Sequence, residues 1–282
     1  LHRALIPLLS DASALEVIVV MDGCRDGTQA MLAEMIDASP RLRSLAFDRN
    51  RGRSVARQTG VEAARGDVVL LIDDDVVAHG GLVSSHARHH TGRRSIVVVG
   101  YMPVADPTGT VSNLYAKEYE NVCRRYDAGG EDAVLRNLWG GNISLSRDEC
   151  LRVGLVSPGF ENLYHEDTDF GLRCRNDGLR GVFDRSLKAT HHHQRSTRQF
   201  LADAQSQGAG RELLLRRHPG STKQIRSKPL GLIPPLAIRL VTSALAPLSS
   251  APIAISIPAL RVMRRIHMTA GAFEMRRSLE GP

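Results

Sequence analysis

The sequence predicts an α/β fold: a doubly wound, mostly parallel sheet with helices on both faces, followed by an α-helical C-terminal tail. Three observations lead there. Short β-branched apolar runs alternate with helical stripes through the first hundred residues. The run Val68–Ile72 is apolar at every position, as expected of a strand buried on both faces of a parallel sheet. It ends in Asp73-Asp74-Asp75. Three adjacent anions cannot be buried unpaired in a strand interior, so they belong at the strand's carboxyl end, where open α/β sheets place their ligands.

Taken in order, Leu1–Leu9 carries a helical apolar stripe, Ser10–Ala14 reads as a loop and Glu16–Met21 as a buried strand. After a turn at Asp22–Thr28, a helix runs to Ala38 and is closed by Pro40. Leu42–Asp48 reads as a strand and Ser54–Ala64 as a helix ended by Gly66. Beyond the Asp triplet come a helix over Gly80–His90, a strand over Ile96–Met102, a helix over Asn113–Tyr126 and a flexible loop over Asp127–Asp132. Leu138–Ser146 holds Trp139-Gly140-Gly141-Asn142 and a strand, and Ser146–Val153 has the form of a capped helix. An acidic helix spans Glu166–Asn176, a strand spans Gly181–His191, and residues 197–217 are helical. No helix start matches a dinucleotide fingerprint or a Walker loop.

The chain of 282 residues can form one large domain or two small ones, and 42% hydrophobic content suits a globular core. Four scattered cysteines without a Cys-x-x-Cys pair or a secretory leader read as reduced thiols of a cytosolic protein. The net charge of +7 is uneven: residues 1–216 hold 27 basic and 28 acidic side chains, residues 217–282 hold 10 and 2. A basic tail on a neutral body argues against a nucleic-acid-binding surface and for an anionic membrane as partner. Within it, Leu230–Leu260 is apolar but cut by five prolines into pieces shorter than a spanning helix needs. The expectation is a peripheral or re-entrant anchor at the cytoplasmic face of a membrane, with a helical hairpin packed on the domain as the alternative.

In an extended segment Asp73 and Asp75 point the same way. They form a hard-oxygen site for Mg²⁺ or Mn²⁺, or else a solvated acidic turn. Arg53 and Arg57 fall near a helix start and could approach phosphates, or line an exposed basic face. Glu166 and Asp167 open a helix, where the dipole alone favours acids, and Asp169 is placed to hold Arg173 one turn on. Trp139 is either core or an apolar wall, and Asn142 either bonds a ligand hydroxyl or closes a turn.

Four blocks together resemble the family-two inverting glycosyltransferases of the A-type fold: Glu16–Thr28, Asn50–Asp75, Trp139–Asp148 and Glu166–Gly178, with His191 where that family often has a metal-binding histidine. The resemblance implies transfer of a sugar from a UDP- or GDP-linked donor to the hydroxyl of a glycan or lipid-linked acceptor, with inversion and a divalent metal. It assigns Asp75, Asp73 and His191 to the metal, and Asp22, Arg53, Arg57, Asp73 and Asp74 to the nucleotide sugar. Trp139, Gly141 and Asn142 go to the acceptor side, and Asp167 becomes the general base with Glu166 as runner-up. The expected division is a GT-A-like catalytic domain over 1–217, with a donor half (1–102) and an acceptor half (103–217), then a membrane-associating tail over 218–282. Two departures stand out. Met21 replaces the first of two family aspartates, and the chain opens at the helix after the family's first strand, so that strand and its nucleotide-contacting loop are expected to be missing. A nucleotidyl- or phosphosugar transferase, and an inactive sugar-binding or scaffold module, are the rival readings.

Overall fold

The computed structural model describes residues 1–220 and 256–280. The chain divides into two compact units. One comprises Leu1–Ala105, Tyr119–Asn162 and Asp167–His192, the other Asp106–Glu118, Leu163–Glu166 and His193–Pro282.

The first unit begins with α1 (His2–Ser10), β1 (Val17–Asp22), α2 (Thr28–Ala38), β2 (Leu42–Phe47), α3 (Arg53–Ala63) and β3 (Val68–Ile72). It continues with β4 (Val76–Ala78), α4 (Leu82–His90) and β5 (Ile96–Tyr101). The long helix α5 (Gly109–Arg136), which enters the first unit at Tyr119, leads to β6 (Asn142–Ser146), α6 (Arg147–Val153), α7 (Glu166–Asn176, in this unit from Asp167) and β7 (Arg180–His191).

The α/β class with helices on both faces stands, but the pairing is mixed. β1 and β2 form a parallel pair, and a second sheet has the order β3-β6-β5-β7-β4. In it only β5 and β7 are parallel; β6 runs against both β3 and β5, and β4 against β7. A strand buried on both faces reads as a continuous apolar run whichever way its neighbour points, so the sequence pattern could not reveal this.

Burial also departs from expectation. β5 is buried from Ile96 to Gly100, whereas β3 buries only Val69 and β1 only Met21. Among the described residues, no strand lies beside the edge of β3 away from β6 or the edge of β1 away from β2. Met21 packs with Leu5, Leu32 and Leu42 beneath α1 and α2, which accounts for an apolar residue at that position.

The loop expected over Asp127–Asp132 is helix, interrupted only at Gly130 (φ 58°, ψ −150°). Tertiary partners outweigh the local glycines: Arg185 binds Asp127 at 2.8 Å, Arg175 and Arg136 both pair with Asp132, and Val134 and Leu135 are buried just beyond.

In the second unit, α8 (Thr197–Arg217) opens with a capping box between Ser196 and Gln199. It packs along α9 (Ile257–Glu280) so closely that a Cβ on Gly208 would lie 1.9 Å from the Met268 carbonyl oxygen, and one on Gly271 1.9 Å from that of Gln205. Gln205 donates to Glu274 at 2.9 Å, and Arg276 meets Glu212 at 2.9 Å. Most of the apolar Leu230–Leu260 stretch, and with it the expected anchor, lies outside the described residues. No helix among the described residues is long and apolar enough to cross a membrane.

Candidate functional site

The mixed sheet brings distant chain ends together. β6 runs against β3 in register Ile72↔Asn142, so the residues just before β6 meet the residues just after β3. The Asp73 N–H donates to the Gly141 carbonyl at 3.2 Å. Gly141 has φ +128°, and a Cβ there would sit 2.7 Å from an Asp73 carboxylate oxygen; only glycine fits. A Cβ on Gly140 would lie 2.6 Å from Asp167 Oδ1, and the Gly140 N–H donates to Asp167 Oδ2 at 2.9 Å. The Gly-Gly pair thus lets two carboxylates approach one stretch of backbone.

Arg57, on the second turn of α3, joins them. Its Nη2 donates to Asp73 Oδ1 at 2.6 Å and its Nη1 to Asp167 Oδ1 at 2.9 Å. A planar guanidinium can serve two acceptors at fixed angles, as an ammonium cannot. In this structure Arg57 therefore ties together carboxylates at the end of β3 and the start of α7. Arg53, one turn earlier, is exposed and opens α3.

Asp75 faces His191: Oδ1 and Nε2 are 3.2 Å apart, and His191 is buried at the end of β7, where it pairs with Val76 of β4. The His192 N–H fixes the Asp75 backbone by donating to its carbonyl at 2.8 Å. A separation of 3.2 Å is close to the roughly 3 Å edge of an octahedron with bonds of about 2.1 Å, so this oxygen–nitrogen pair suits two adjacent ligands of Mg²⁺ or Mn²⁺. Among the described residues no three His, Cys, Asp or Glu side chains cluster as a self-sufficient metal cage. Asp74 is exposed on the turn, yet partial desolvation and then the charges of Asp75 and Asp73 push its carboxyl above the usual range.

Other expected site residues take different places. Asp22 accepts the backbone N–H groups of Arg51 at 2.6 Å and Gly52 at 2.9 Å, so its oxygens organise the entry to α3. Asn142 is fully buried; its amide donates to the Leu187 carbonyl at 3.0 Å and its oxygen faces His86 Nε2 at 3.0 Å. The expected sugar contact is corrected to a tie between β6, β7 and α4, because a side chain on the core face of β6 cannot also reach the site. Trp139 is half-buried and meets Tyr119 edge-on with centroids 5.4 Å apart. Glu166 is buried in the second unit. Asp169 is fully buried and pairs with Arg173 at 2.7 Å, as its spacing suggested.

Two participants escaped sequence reasoning. Gly140 supplies an N–H to Asp167, and the doubled glycine was the only signal for it. His86 carried no signal beyond its place on a helix. Its Nδ1 lies 2.8 Å from Ser144 Oγ, which His90 Nε2 also approaches at 2.8 Å. Since Asn142 presents its oxygen, His86 donates from Nε2 and accepts the Ser144 hydroxyl at Nδ1, the neutral form. Burial lowers the His86 pKa to about 4 from 6.5. The unfolded chain therefore takes up the proton first as pH falls. The stabilisation is complete above about pH 6.5 and shrinks steadily down to about pH 4, by roughly 3 kcal/mol in all. Urea unfolding at pH 7.5 and pH 4.5 measures this, and His86→Gln should flatten the difference; an equal pH dependence in parent and variant would assign the loss to other groups.

Residues 1–150, more than half of the chain, match the family described as Glycosyl transferase family 2. The chain belongs to glycosyl transferase family 2. It is 30% identical over 142 residues to a glucosyl-dolichyl phosphate glucuronosyltransferase of Haloferax volcanii, covering 50% of this chain and 45% of that protein. It is 24% identical over 234 residues to the glycosyltransferase YfnE of Bacillus subtilis, covering 67% and 59%. The chain thus spans about half the length of the curated relatives it matches. Among solved structures, the mannosyltransferase PcManGT of Pyrobaculum calidifontis, in complex with GDP-Man and Mn²⁺, superposes with a TM-score of 0.62 at 17% identity, over 98% of this chain and 83% of that one. Residues 1–349 of S. aureus TarS, in complex with UDP-GlcNAc, give 0.53 at 16% identity, over 98% and 88%. These likenesses establish the GT-A-like fold of this family-2 chain.

Proposed function

We propose that this chain transfers a sugar from a UDP- or GDP-linked donor to a hydroxyl of a glycan or lipid-linked acceptor, with inversion and with help from a divalent cation. The observation that carries the reading is the single guanidinium of Arg57 holding Asp73, at the end of β3, and Asp167, at the start of α7. Such a reaction needs a neutralised leaving diphosphate and an acceptor hydroxyl that can lose its proton, both held in line. Asp75 and His191, with Asp73, would hold Mg²⁺ or Mn²⁺, which when bound supplies positive charge to the diphosphate. Asp167 is the base. Each of its oxygens already accepts one hydrogen bond, and an ionised carboxylate has about four acceptor positions, so it can still receive the acceptor's proton. Arg57 and the Gly140 N–H fix its orientation. A single displacement forms one bond from the acceptor oxygen to the anomeric carbon as the bond to the diphosphate breaks, hence inversion. That the solved neighbours are complexes with GDP-Man and Mn²⁺ or with UDP-GlcNAc supports the donor class.

The test is thermal stabilisation by a panel of nucleotide sugars with and without Mn²⁺. A donor at about a hundred times its Kd stabilises by roughly 2.7 kcal/mol, several degrees in Tm, and Asp75→Asn should lose the Mn²⁺-dependent part while keeping its own Tm. Undiminished Mn²⁺-dependent binding by Asp75→Asn would reduce the Asp triplet to a turn. A donor that binds without any turnover would favour the binding-module reading, to which the engaged Asp22 carboxylate lends support.

We further propose that residues 218–282 bring the protein to an anionic membrane from the cytoplasmic side. Arg261, Arg265 and Arg277 are exposed on α9. Deleting 218–282 should abolish sedimentation with phosphatidylserine-containing liposomes at low salt; equal sedimentation with and without the tail would defeat this.

A further inference from the structure

Strand β7 does not run straight past β5. The two are parallel and pair residue for residue from Ile96↔Arg180 to Gly100↔Asp184, but the next pair is Tyr101↔Lys188. Arg185, Ser186 and Leu187 are left over as a bulge on β7. We propose that Asn142 is a positioning residue for His191: from β6 it latches this bulge, and the bulge brings His191 opposite Asp75. The consequence for a cation rests on the metal reading of Asp75 and His191; the placement of His191 does not.

Parity shows what the bulge does. Ahead of it, Asp184 lies on the α4 face of the sheet, where it meets His89 at 2.9 Å. Side chains alternate along a strand, so an unbroken β7 would turn Lys188 and Thr190 to that face and His191 away from it. Three extra residues are an odd number and reverse the order. Leu187 and Ala189 are buried on the α4 side with Val76, Ala78 and Leu82, and His191, two residues further on, shares a face with its partner Val76. Position along the strand changes as well. Beyond the bulge His191 bridges Val104; its N–H donates to the Pro103 carbonyl at 2.9 Å, and the Ala105 N–H donates to the His191 carbonyl at 2.9 Å. Unbroken pairing would set Lys188 beside Val104 and carry His191 three residues on, about 10 Å at roughly 3.3 Å per residue, out of reach of Asp75.

The latch crosses a whole strand. In the order β6-β5-β7, β5 lies between Asn142 and the bulge. The register Val98↔Ser144, Val99↔Ile143 puts Gly100 opposite Asn142. A Cβ on Gly100 would lie 2.2 Å from Asn142 Nδ2 and 2.6 Å from the Leu187 carbonyl oxygen, so the amide passes over bare backbone. It donates to that carbonyl at 3.0 Å, and His86 Nε2, 3.0 Å from Asn142 Oδ1, fixes which end of the amide faces the bulge. The start of the bulge is closed by Asp184, whose Oδ1 accepts the Ser186 N–H at 2.8 Å. Asn142 is fully buried. Slipping β7 to the unbroken register would leave its amide and the carbonyl it serves unpaired in the core, which penalises every register but this one. Bulges beside functional sites re-aim side chains in this manner.

The test is Asn142→Ala in the whole chain, with amide hydrogen exchange followed by NMR in the absence of metal. Exchange should quicken about tenfold at His191, His192 and Ala105, whose N–H groups hold the end of β7 to Pro103, Asp75 and His191, while Val97, Val99 and Val182, ahead of the bulge, keep their protection. An amide that merely stabilises the core would quicken exchange evenly over the sheet. Mn²⁺ alone gives a second readout. Below stoichiometry it should broaden the His191 ring protons together with the Asp73 and Asp75 amides in the parent, and the aspartates without His191 in Asn142→Ala. Should that variant fail to fold, Asp184→Ala opens the half-buried start of the bulge and should quicken the same three amides about threefold. Uniform loss of protection, unchanged exchange at His191, His192 and Ala105, or His191 broadening as strong in the variant as in the parent would overturn the latch. No broadening of His191 in the parent counts against the cation, while the exchange pattern still decides the latch.

Discussion

Asp167→Asn should lower turnover by about two to four orders of magnitude, the range for loss of a general base, while donor affinity changes little. Asparagine keeps the shape but cannot take a proton. The structure adds a second cost. Asp167 accepts from Arg57 on one oxygen and from the Gly140 N–H on the other. An amide has one oxygen, so whichever donor it serves, the other faces an NH₂ group. Asp167→Glu is the companion variant: it keeps the chemistry but pushes a longer side chain toward Gly140, where the carboxylate is already in close contact. Donor Kd and kcat on both variants are the measurement. Unchanged kcat in Asp167→Asn would remove Asp167 from the chemistry, and a dead Glu166→Gln beside an active Asp167→Asn would move the base one residue back.

Arg57→Met should be the most damaging change outside the carboxylates themselves. It leaves Asp73 and Asp167 facing each other without the cation between them, in a site where the arginine side chain is 17% exposed and the acids 34% and 22%. Partial solvent screening reduces the stability cost to about 1–3 kcal/mol, below that of breaking a fully buried pair. Catalysis should suffer more, about a hundredfold or beyond, because the same residue orients both the donor-side and the acceptor-side carboxylate. Arg57→Lys should recover stability better than turnover, since an ammonium supplies charge without the fork. Denaturation midpoints and kcat/KM for the three proteins separate the two effects. Equal recovery of both by lysine would mean that Arg57 contributes charge only.

What could be read in advance follows distance along the chain. The β3 run, its acidic end, the bounds of α7 and the Asp169–Arg173 pair were legible, because each is decided within a few residues by periodicity and charge spacing. The two bonds of Arg57 were not: they span 16 and 110 residues and exist only once β6 has inserted beside β3. Asn142 misled for the opposite reason. In sequence it adjoins the glycines that do line the site, but strand alternation turns it to the other face, toward His86 and Leu187. The helix through Asp127–Asp132 was hidden because Gly129-Gly130 signals a loop, while the arginines that hold it lie as far away as Arg175 and Arg185.

The ladder between β3 and β6 also sets which parts of the gene can change length. Side chains alternate along a strand with a period of two residues, so one codon gained or lost inside β6 would turn Asn142 away from His86 and expose the buried Ile143 and Leu145 positions to the wrong face. The same event would carry the paired glycines off the Asp73 carboxylate. An insertion between Thr91 and Arg94, ahead of β5, falls in an exposed connection. The reading frame of this site is therefore counted from the hydrogen bond between Asp73 and Gly141, and natural length variation should stop on either side of it.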